Sequence, residues 1–296
     1  MTPPAGPAAT DGVGWLELAD GIVEYEVLAA APGHETDPPV VFLHEGLGSL
    51  GLWRGFPRAV LARTGRTGVV WSRHGYGNSA VVREPRAVRY MHDEALRVLP
   101  EMLERLAITD PVLIGHSDGA SIALIYAGVR PVAGLVLIAP HVMVDDWTAA
   151  GIRSAHEQYL TTDLGRRLGR WHDDPDATFR GWSDIWRSPE FRAWNIEGYL
   201  AGVTCPILAV QALDDEYGTI EQLDRVERGV HGPVTRLVLD VGGHSPHLAD
   251  PDYVVGAVAG FLGGDRPVER DPAGSGGAGV RGVGIERGGR GPGPGA

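Results

Sequence analysis

The chain has 296 residues, 43% of them hydrophobic and 22% charged, with a formal net charge of −12 at pH 7. This ordinary globular composition leaves room for one α/β domain of roughly 200–250 residues plus additions. The acidic balance argues against a nucleic-acid partner, a single cysteine, Cys205, rules out an internal disulfide, and no run approaches the roughly 18 apolar residues of a membrane helix.

Residues 1–12 are rich in proline and alanine without an apolar centre, unlike a secretion signal. They read as a disordered N-terminus, and the cytoplasm is the expected compartment. Gly14 to Leu18 and Ile22 to Leu28 alternate apolar with polar residues around Asp20-Gly21, which predicts an antiparallel hairpin. Val40 to Leu43 is a buried-strand run ending in the glycine-rich turn His44-Glu45-Gly46-Leu47-Gly48-Ser49, with helical sequence from Leu52 to Arg63. Val69 to Ser72 is the next strand, followed by the loop Arg73-His74-Gly75-Tyr76-Gly77-Asn78-Ser79. Met91 to Leu106 is amphipathic, and Pro100 inside it predicts a kink or a new helix start.

Val112 to Ile114 is a short apolar run that leads without a gap into Gly115-His116-Ser117-Asp118-Gly119 and then into helical sequence through Ala127. A strand turning straight into a helix leaves Ser117 at a sharp bend, with glycines two residues to either side and a helix N-terminus beneath it. That is the pattern of a nucleophile elbow, whose free N–H groups can hold an oxyanion. Leu135 to Ile138, Pro206 to Val210 and Arg236 to Leu239 are further strands, and Thr219 to Val230 and Tyr253 to Leu262 are helices. The alternation predicts a mostly parallel, doubly wound sheet with its active groups at the carboxyl ends of the strands. Residues 142–203 interrupt it with helical sequence containing Trp147, Trp171, Trp182, Trp186 and Trp194. They read as a cap whose tryptophans mostly fill its own core, with one or two facing a pocket. The division is then a core of residues 13–141 and 204–263, the cap, and a disordered Gly/Pro/Arg-rich tail, 264–296.

A serine nucleophile needs a base, and the base needs an orienting carboxylate. Both follow in order and at strand ends, with Asp214 and Asp215 after one strand and His244 after the last. The other histidines, His44, His74, His116, His141 and His247, lie in separate loops without metal-ligand spacing. No metal is expected, and no phosphate or dinucleotide fingerprint is present, so no cofactor either.

With these pieces, the segment from Val13 to Leu262 resembles the α/β-hydrolase superfamily. The resemblance implies an α/β-hydrolase fold with a helical cap insertion, in which Ser117 attacks a carbonyl and His244 takes and returns its proton. It also implies that Asp215 orients the imidazole, since the family's acid stands three residues after a turn glycine and Ala212 occupies that glycine's place. The oxyanion donors it implies are backbone N–H groups of Asp118 and of Glu45 or Gly46. Pocket residues expected on this basis are His44, His141, Trp147 and Trp186. Two departures from the family pattern are Glu45, where many relatives have glycine, and Asp118, where many have an apolar residue. Carboxylates there would repel an oxyanion unless turned away or protonated; hydrogen bonds to the loop backbone would do this, and a contact to a polar or cationic substrate group is the alternative. The function implied is a serine hydrolase acting on a small acyl substrate, an ester, lactone, thioester or amide. A carbon–carbon hydrolase or a lyase/cyclase would use the same triad with Arg153, Arg187 or Arg192 as cationic partner. A silent ligand receptor is the non-enzymatic reading.

Overall fold

Each central strand sends alternate side chains to opposite layers, because strand side chains alternate faces and this sheet is covered on both. Val41, Leu43 and Leu113 join one hydrophobic cluster, while Val40, Phe42, Val112 and Ile114 join the other. The computed structural model describes residues 12–263 and the two residues Glu286–Arg287. The segments read as disordered, 1–12 and 264–296, therefore lie outside the described residues, apart from Gly12 and that short stretch.

Among the described residues, nine strands form one sheet: β1 (Val13–Leu18), β2 (Gly21–Leu28), β3 (Val40–Leu43), β4 (Gly68–Trp71), β5 (Val112–His116), β6 (Gly134–Ile138), β7 (Ile207–Ala212), β8 (Val234–Leu239) and β9 (Glu286–Arg287). Their spatial order is β1-β2-β4-β3-β5-β6-β7-β8-β9. β1 and β2 pair antiparallel, β2 joins β4 antiparallel, β4 to β8 run parallel, and β9 pairs antiparallel with the edge of β8. From β3 the chain winds outward to β4 and then back across to β5. This reversal opens a crevice beyond the carboxyl ends of β3 and β5, where the glycine-rich turn and the Ser117 elbow both emerge.

The helices are α1 (Phe56–Thr64), α2 (Tyr90–Asp93), α3 (Leu99–Arg105), α4 (Asp118–Ala127), α5 (Asp146–Thr161), α6 (Leu164–Leu168), α7 (Pro175–Arg187), α8 (Glu197–Leu200), α9 (Glu221–Gly229), α10 (Pro246–Ala249) and α11 (Pro251–Gly263). The helix expected from Leu52 is broken: a 3-10 turn at Gly51–Trp53 precedes α1, and Arg54 between them has φ +52°. Pro100 has the expected effect. It lacks the N–H that the carbonyl four residues earlier would use, and the chain passes through a π-helical turn, Glu94–Val98, before α3 starts with Pro100 in its first turn.

α4 is buried along its whole length. The sheet lies on one side of it, and the helices inserted between β6 and β7 help to cover the other. In that insertion, α5 to α8, the two longest helices start at side-chain N-caps: Asp145 accepts from Thr148 N at 2.7 Å, and Asp174, before Pro175, accepts from Ala177 N at 3.0 Å. Its tryptophans do not fill a separate core. Trp182, Trp186 and Trp194 belong to the cluster that includes Leu43, Ala120 and Leu124 beneath them. Among the described residues no helix is long and apolar enough to cross a membrane.

Candidate active site

Ser117 sits between β5 and α4 with φ +53°, a conformation that an L-residue holds only when its surroundings impose it. Its N–H donates to Ile138 O at 2.9 Å, which ties the elbow to the neighbouring strand. The flanking glycines are required for space. A Cβ at Gly119 would stand 1.9 Å from Leu43 O, and one at Gly115 would stand 2.4 Å from Gly119 O. Helix and strand thus cross at backbone contact, and the Ser117 side chain is lifted to the rim.

The loops after β7 and β8 bring the carboxylate and the imidazole together. Both oxygens of Asp215 lie 2.9 Å from His244 Nδ1. Tyr217 N and Gln211 Nε2 donate to the same carboxylate at 2.7 Å, and Gly218 N donates at 3.2 Å. Asp214 points elsewhere, accepting from Gly242 N and Gly243 N at 2.8 Å and so bracing the loop that carries His244. Burial opposes ionisation of Asp215, but the charge of His244 and these donated hydrogen bonds outweigh it and hold the carboxyl below its ordinary range. Burial likewise opposes protonation of His244, yet Asp215, with Glu216 and Glu45 further off, raises its pKa above the ordinary imidazole value.

Ser117 and His244 open onto one cavity of about 130 Å³. Its other walls are Glu45, Gly46 and Leu47 of the turn after β3, His141, Tyr217, and Ile152, Trp182 and Trp186 of the insertion. Of the four residues expected at a pocket, His141 and Trp186 line this cavity, whereas His44 and Trp147 do not. His44 is fully buried behind the loop, its Nε2 accepting from Arg73 N at 3.0 Å and its Nδ1 donating to Glu45 O at 2.7 Å. Burial, then the neighbouring Arg73 charge, pushes its pKa well down and keeps it neutral for this double role. Trp147 is 53% exposed and donates to Asp215 O at 2.9 Å from outside. Sequence reasoning missed Trp182 as the wall. Its signal was weak, since the seam it fills, hard against Gly46, is made by two segments more than a hundred residues apart.

Of the two carboxylates flagged beside the oxyanion turn, Asp118 is turned away by side-chain partners, whereas Glu45 stays in the cavity wall beside His116. Asp118 is buried, accepts from Tyr90 Oη at 2.6 Å and lies 3.6 Å from Arg73 Nη2. Tyr90 in turn accepts from Trp186 Nε1 at 2.9 Å, which links the insertion to the elbow. Glu45 faces His116 Nδ1 at 3.4 Å, an ion-pair distance, while His116 Nε2 donates to His244 O at 2.7 Å. Burial works against the charged form of Glu45, and the facing His116 more than offsets it, so its carboxyl stays low.

Among the described residues no group of three or more His, Cys, Asp or Glu is disposed to hold a metal ion. Cys205 precedes β7, at the end of the sheet opposite the cavity, and burial pushes its thiol up to about 11.

A parallel sheet whose strand ends carry an elbow serine, a carboxylate-paired histidine and a glycine-rich turn defines a hydrolase class of enzyme. The sequence profile described as "Alpha/beta hydrolase family" matches residues 40–257, and the chain belongs to that family. Among solved structures, it is similar to a hydrolase from Pseudomonas aeruginosa (17% identity, 86% of this chain and 99% of that one, TM-score 0.67). It is also similar to an enol-lactonase from Burkholderia xenovorans (17%, 84% and 100%, TM-score 0.65) and an esterase from Exiguobacterium antarcticum (16%, 84% and 98%, TM-score 0.65). A curated relative, the sn-1-specific diacylglycerol lipase ABHD11 of Mus musculus, is 30% identical over 99 residues; that match spans 33% of this chain and 31% of the relative.

Proposed function

We propose that the protein is a serine hydrolase of small, uncharged carboxylic esters or their lactone and thioester analogues, with Ser117, His244 and Asp215 as its triad. Ser117 Oγ attacks the acyl carbon while His244 Nε2 takes its proton, and the oxyanion is received by the N–H groups of Asp118 and of Glu45 or Gly46. Collapse breaks the bond to the leaving oxygen or sulfur, which receives that proton and departs, leaving an acyl-Ser117 ester. Water then attacks, giving a proton to His244 and its oxygen to the acyl carbon, and Ser117 leaves with the proton returned. Asp215 keeps the Nδ1–H tautomer and stabilises the imidazolium between steps.

The observation that carries this reading is the pairing of His244 with both oxygens of Asp215 at the wall of a cavity that Ser117 shares. The cavity also supports the substrate class. At about 130 Å³ it is slightly smaller than an apolar cavity of roughly 150 Å³ that admits benzene, so an acyl group of about six heavy atoms fills it. Among the described residues no arginine lines it. Arg192 is engaged with Asp146 and the Asp145 carbonyl, Arg187 with Asp184 and His156, and Arg153 is exposed on α5. A dienoate carboxylate, as a carbon–carbon hydrolase would bind, thus has no cationic partner there, which favours the ester reading.

The test is fluorophosphonate labelling of wild type against Ser117→Ala, followed by p-nitrophenyl esters of rising chain length. Serine-dependent labelling with turnover falling steeply beyond six acyl carbons is expected. Labelling that survives in Ser117→Ala overturns the assignment.

A further inference from the structure

The buried guanidinium of Arg73 has no part in the reaction as written, yet it touches both halves of the oxyanion site. Its Nη2 donates to Glu45 O at 2.9 Å and reaches His44 O at 3.3 Å and Asp118 Oδ2 at 3.6 Å. Its main-chain N–H fixes the His44 ring, which itself donates to Glu45 O. Nε and Nη1 have no hydrogen-bond partner among the described residues, and the group stands over the Tyr76 ring at 4.6 Å. A guanidinium that is 1% exposed with two of its three nitrogens unpaired costs the fold stability, so its place calls for a compensating role.

The peptide geometry supplies one. In a trans peptide the C=O and the following N–H point in opposite directions, and the described residues contain no cis bond. Holding the Glu45 carbonyl down onto Arg73 therefore turns the Gly46 N–H to the opposite face, where Gly46 lines the cavity. The weaker hold on the His44 carbonyl does the same for the Glu45 N–H. On the other half, Arg73 balances the Asp118 carboxylate, whose negative charge would otherwise lie directly behind the second N–H donor.

We propose that Arg73 is the positioning residue of the oxyanion site, aiming the N–H donors of the β3 turn at the tetrahedral intermediate and balancing the Asp118 carboxylate behind the other donor. The inference rests on the serine-hydrolase reading. Because the oxyanion exists only along the reaction path, loss of Arg73 lowers kcat and spares KM, whereas general loosening of the fold changes both.

Arg73→Met and Arg73→Lys are compared with wild type using a p-nitrophenyl ester inside the size limit, a trifluoromethyl ketone carrying the same acyl group, and the matching alcohol as a ground-state ligand. For Arg73→Met, kcat is expected to fall about 100-fold with KM within about twofold, as for loss of one oxyanion donor. Affinity for the ketone falls in parallel, and affinity for the alcohol is unchanged. Arg73→Lys keeps the charge without the fork and recovers about tenfold of the loss. If Arg73→Met does not fold, Arg73→Lys decides: a kcat within twofold of wild type overturns the proposal, as does a loss in which KM and alcohol affinity move together with kcat. Labelling that does not depend on Ser117 overturns the hydrolase reading itself. Serine-dependent labelling with unaltered kcat in both variants overturns only the role of Arg73.

Discussion

The rim of the sheet and the helical insertion meet at the same cavity, but they are held in different ways. The rim is fixed by main-chain hydrogen bonds. Ser117 N–H is tied to Ile138, Asp215 is held by Tyr217 N and Gly218 N, and Asp214 by two successive N–H groups of the His244 loop. The insertion has fewer such anchors, among them Asp173 N–H to Gly77 O at 2.9 Å, and is packed largely through ring contacts such as Trp186–Phe191 at 4.8 Å and Phe191–Trp194 at 5.4 Å. A few polar links join it to the core. Trp186 reaches Tyr90, Thr178 Oγ1 donates to Gly75 O at 2.8 Å, and His172 accepts from Gly77 N at 2.9 Å while donating to Leu47 O at 3.0 Å. Backbone-anchored groups have little freedom to drift, which suits groups that must meet reacting atoms. Packed rings can be exchanged for others of similar volume, which suits a wall that sets substrate size.

The contrast is sharpest where the rim is cut. Ser117→Ala or His244→Ala is expected to lower kcat by about 10⁶-fold, and the double variant little further, because the two act as one unit. Burst and steady-state kinetics on a short ester check this; additive losses would break the pairing. Next comes the geometry of the elbow. Gly119→Ala places a methyl against Leu43 O, and about 100-fold slower fluorophosphonate labelling is expected even where the variant folds. On the insertion side the effect changes in kind. Trp182→Ala costs about 3 kcal/mol of stability by denaturant titration, since a large buried ring is lost, and it enlarges the cavity. Esters longer than the six-carbon limit should then gain in kcat/KM relative to acetate, and an unchanged chain-length profile would deny the insertion its role as wall.

Smaller effects come from charge. On the proposed mechanism His244 acts as base in its neutral form, and its pKa is raised, so kcat/KM is expected to fall with falling pH from a point above the ordinary imidazole range. Glu45 contributes to that rise, and Glu45→Gln shifts the acid limb to lower pH without abolishing turnover. A pH–rate profile for the two proteins reads the shift directly. The smallest expected effect is on stability. His44, His141, His172 and His247 all have pKa values lowered by burial, so below about 6.5 the unfolded chain binds more protons at these sites than the folded one. Their contribution to stability is full above 6.5 and is lost as pH falls toward their folded values, which lowers Tm across that window. His172→Asn flattens the slope if the protonation of this link between insertion and rim contributes to it.

Much of the core was legible because buried parallel strands are short apolar runs and each ends at a turn rich in glycine or polar residues. The elbow was legible for the same reason. Gly115 and Gly119 are demanded by backbone contacts within or next to the motif. The pocket was not, because whether a tryptophan faces a cavity depends on what packs on its other side. Trp147 and Trp182 have similar helical settings in the sequence, yet one is exposed and the other forms the wall. The helix expected from Leu52 failed at Arg54, where a positive φ that no propensity predicts turns the chain from the 3-10 segment into α1.

By itself the sequence determined the order of strands and helices, the bend at Ser117 and the presence downstream of an imidazole and a carboxylate, since these follow from period, glycine spacing and chain order. Tertiary structure alone decided where the charges of Glu45 and Asp118 are directed, which tryptophans reach the cavity, and how large the cavity is. Those are matters of direction and distance between segments far apart in the chain, and a local pattern carries no information about what will be packed against it.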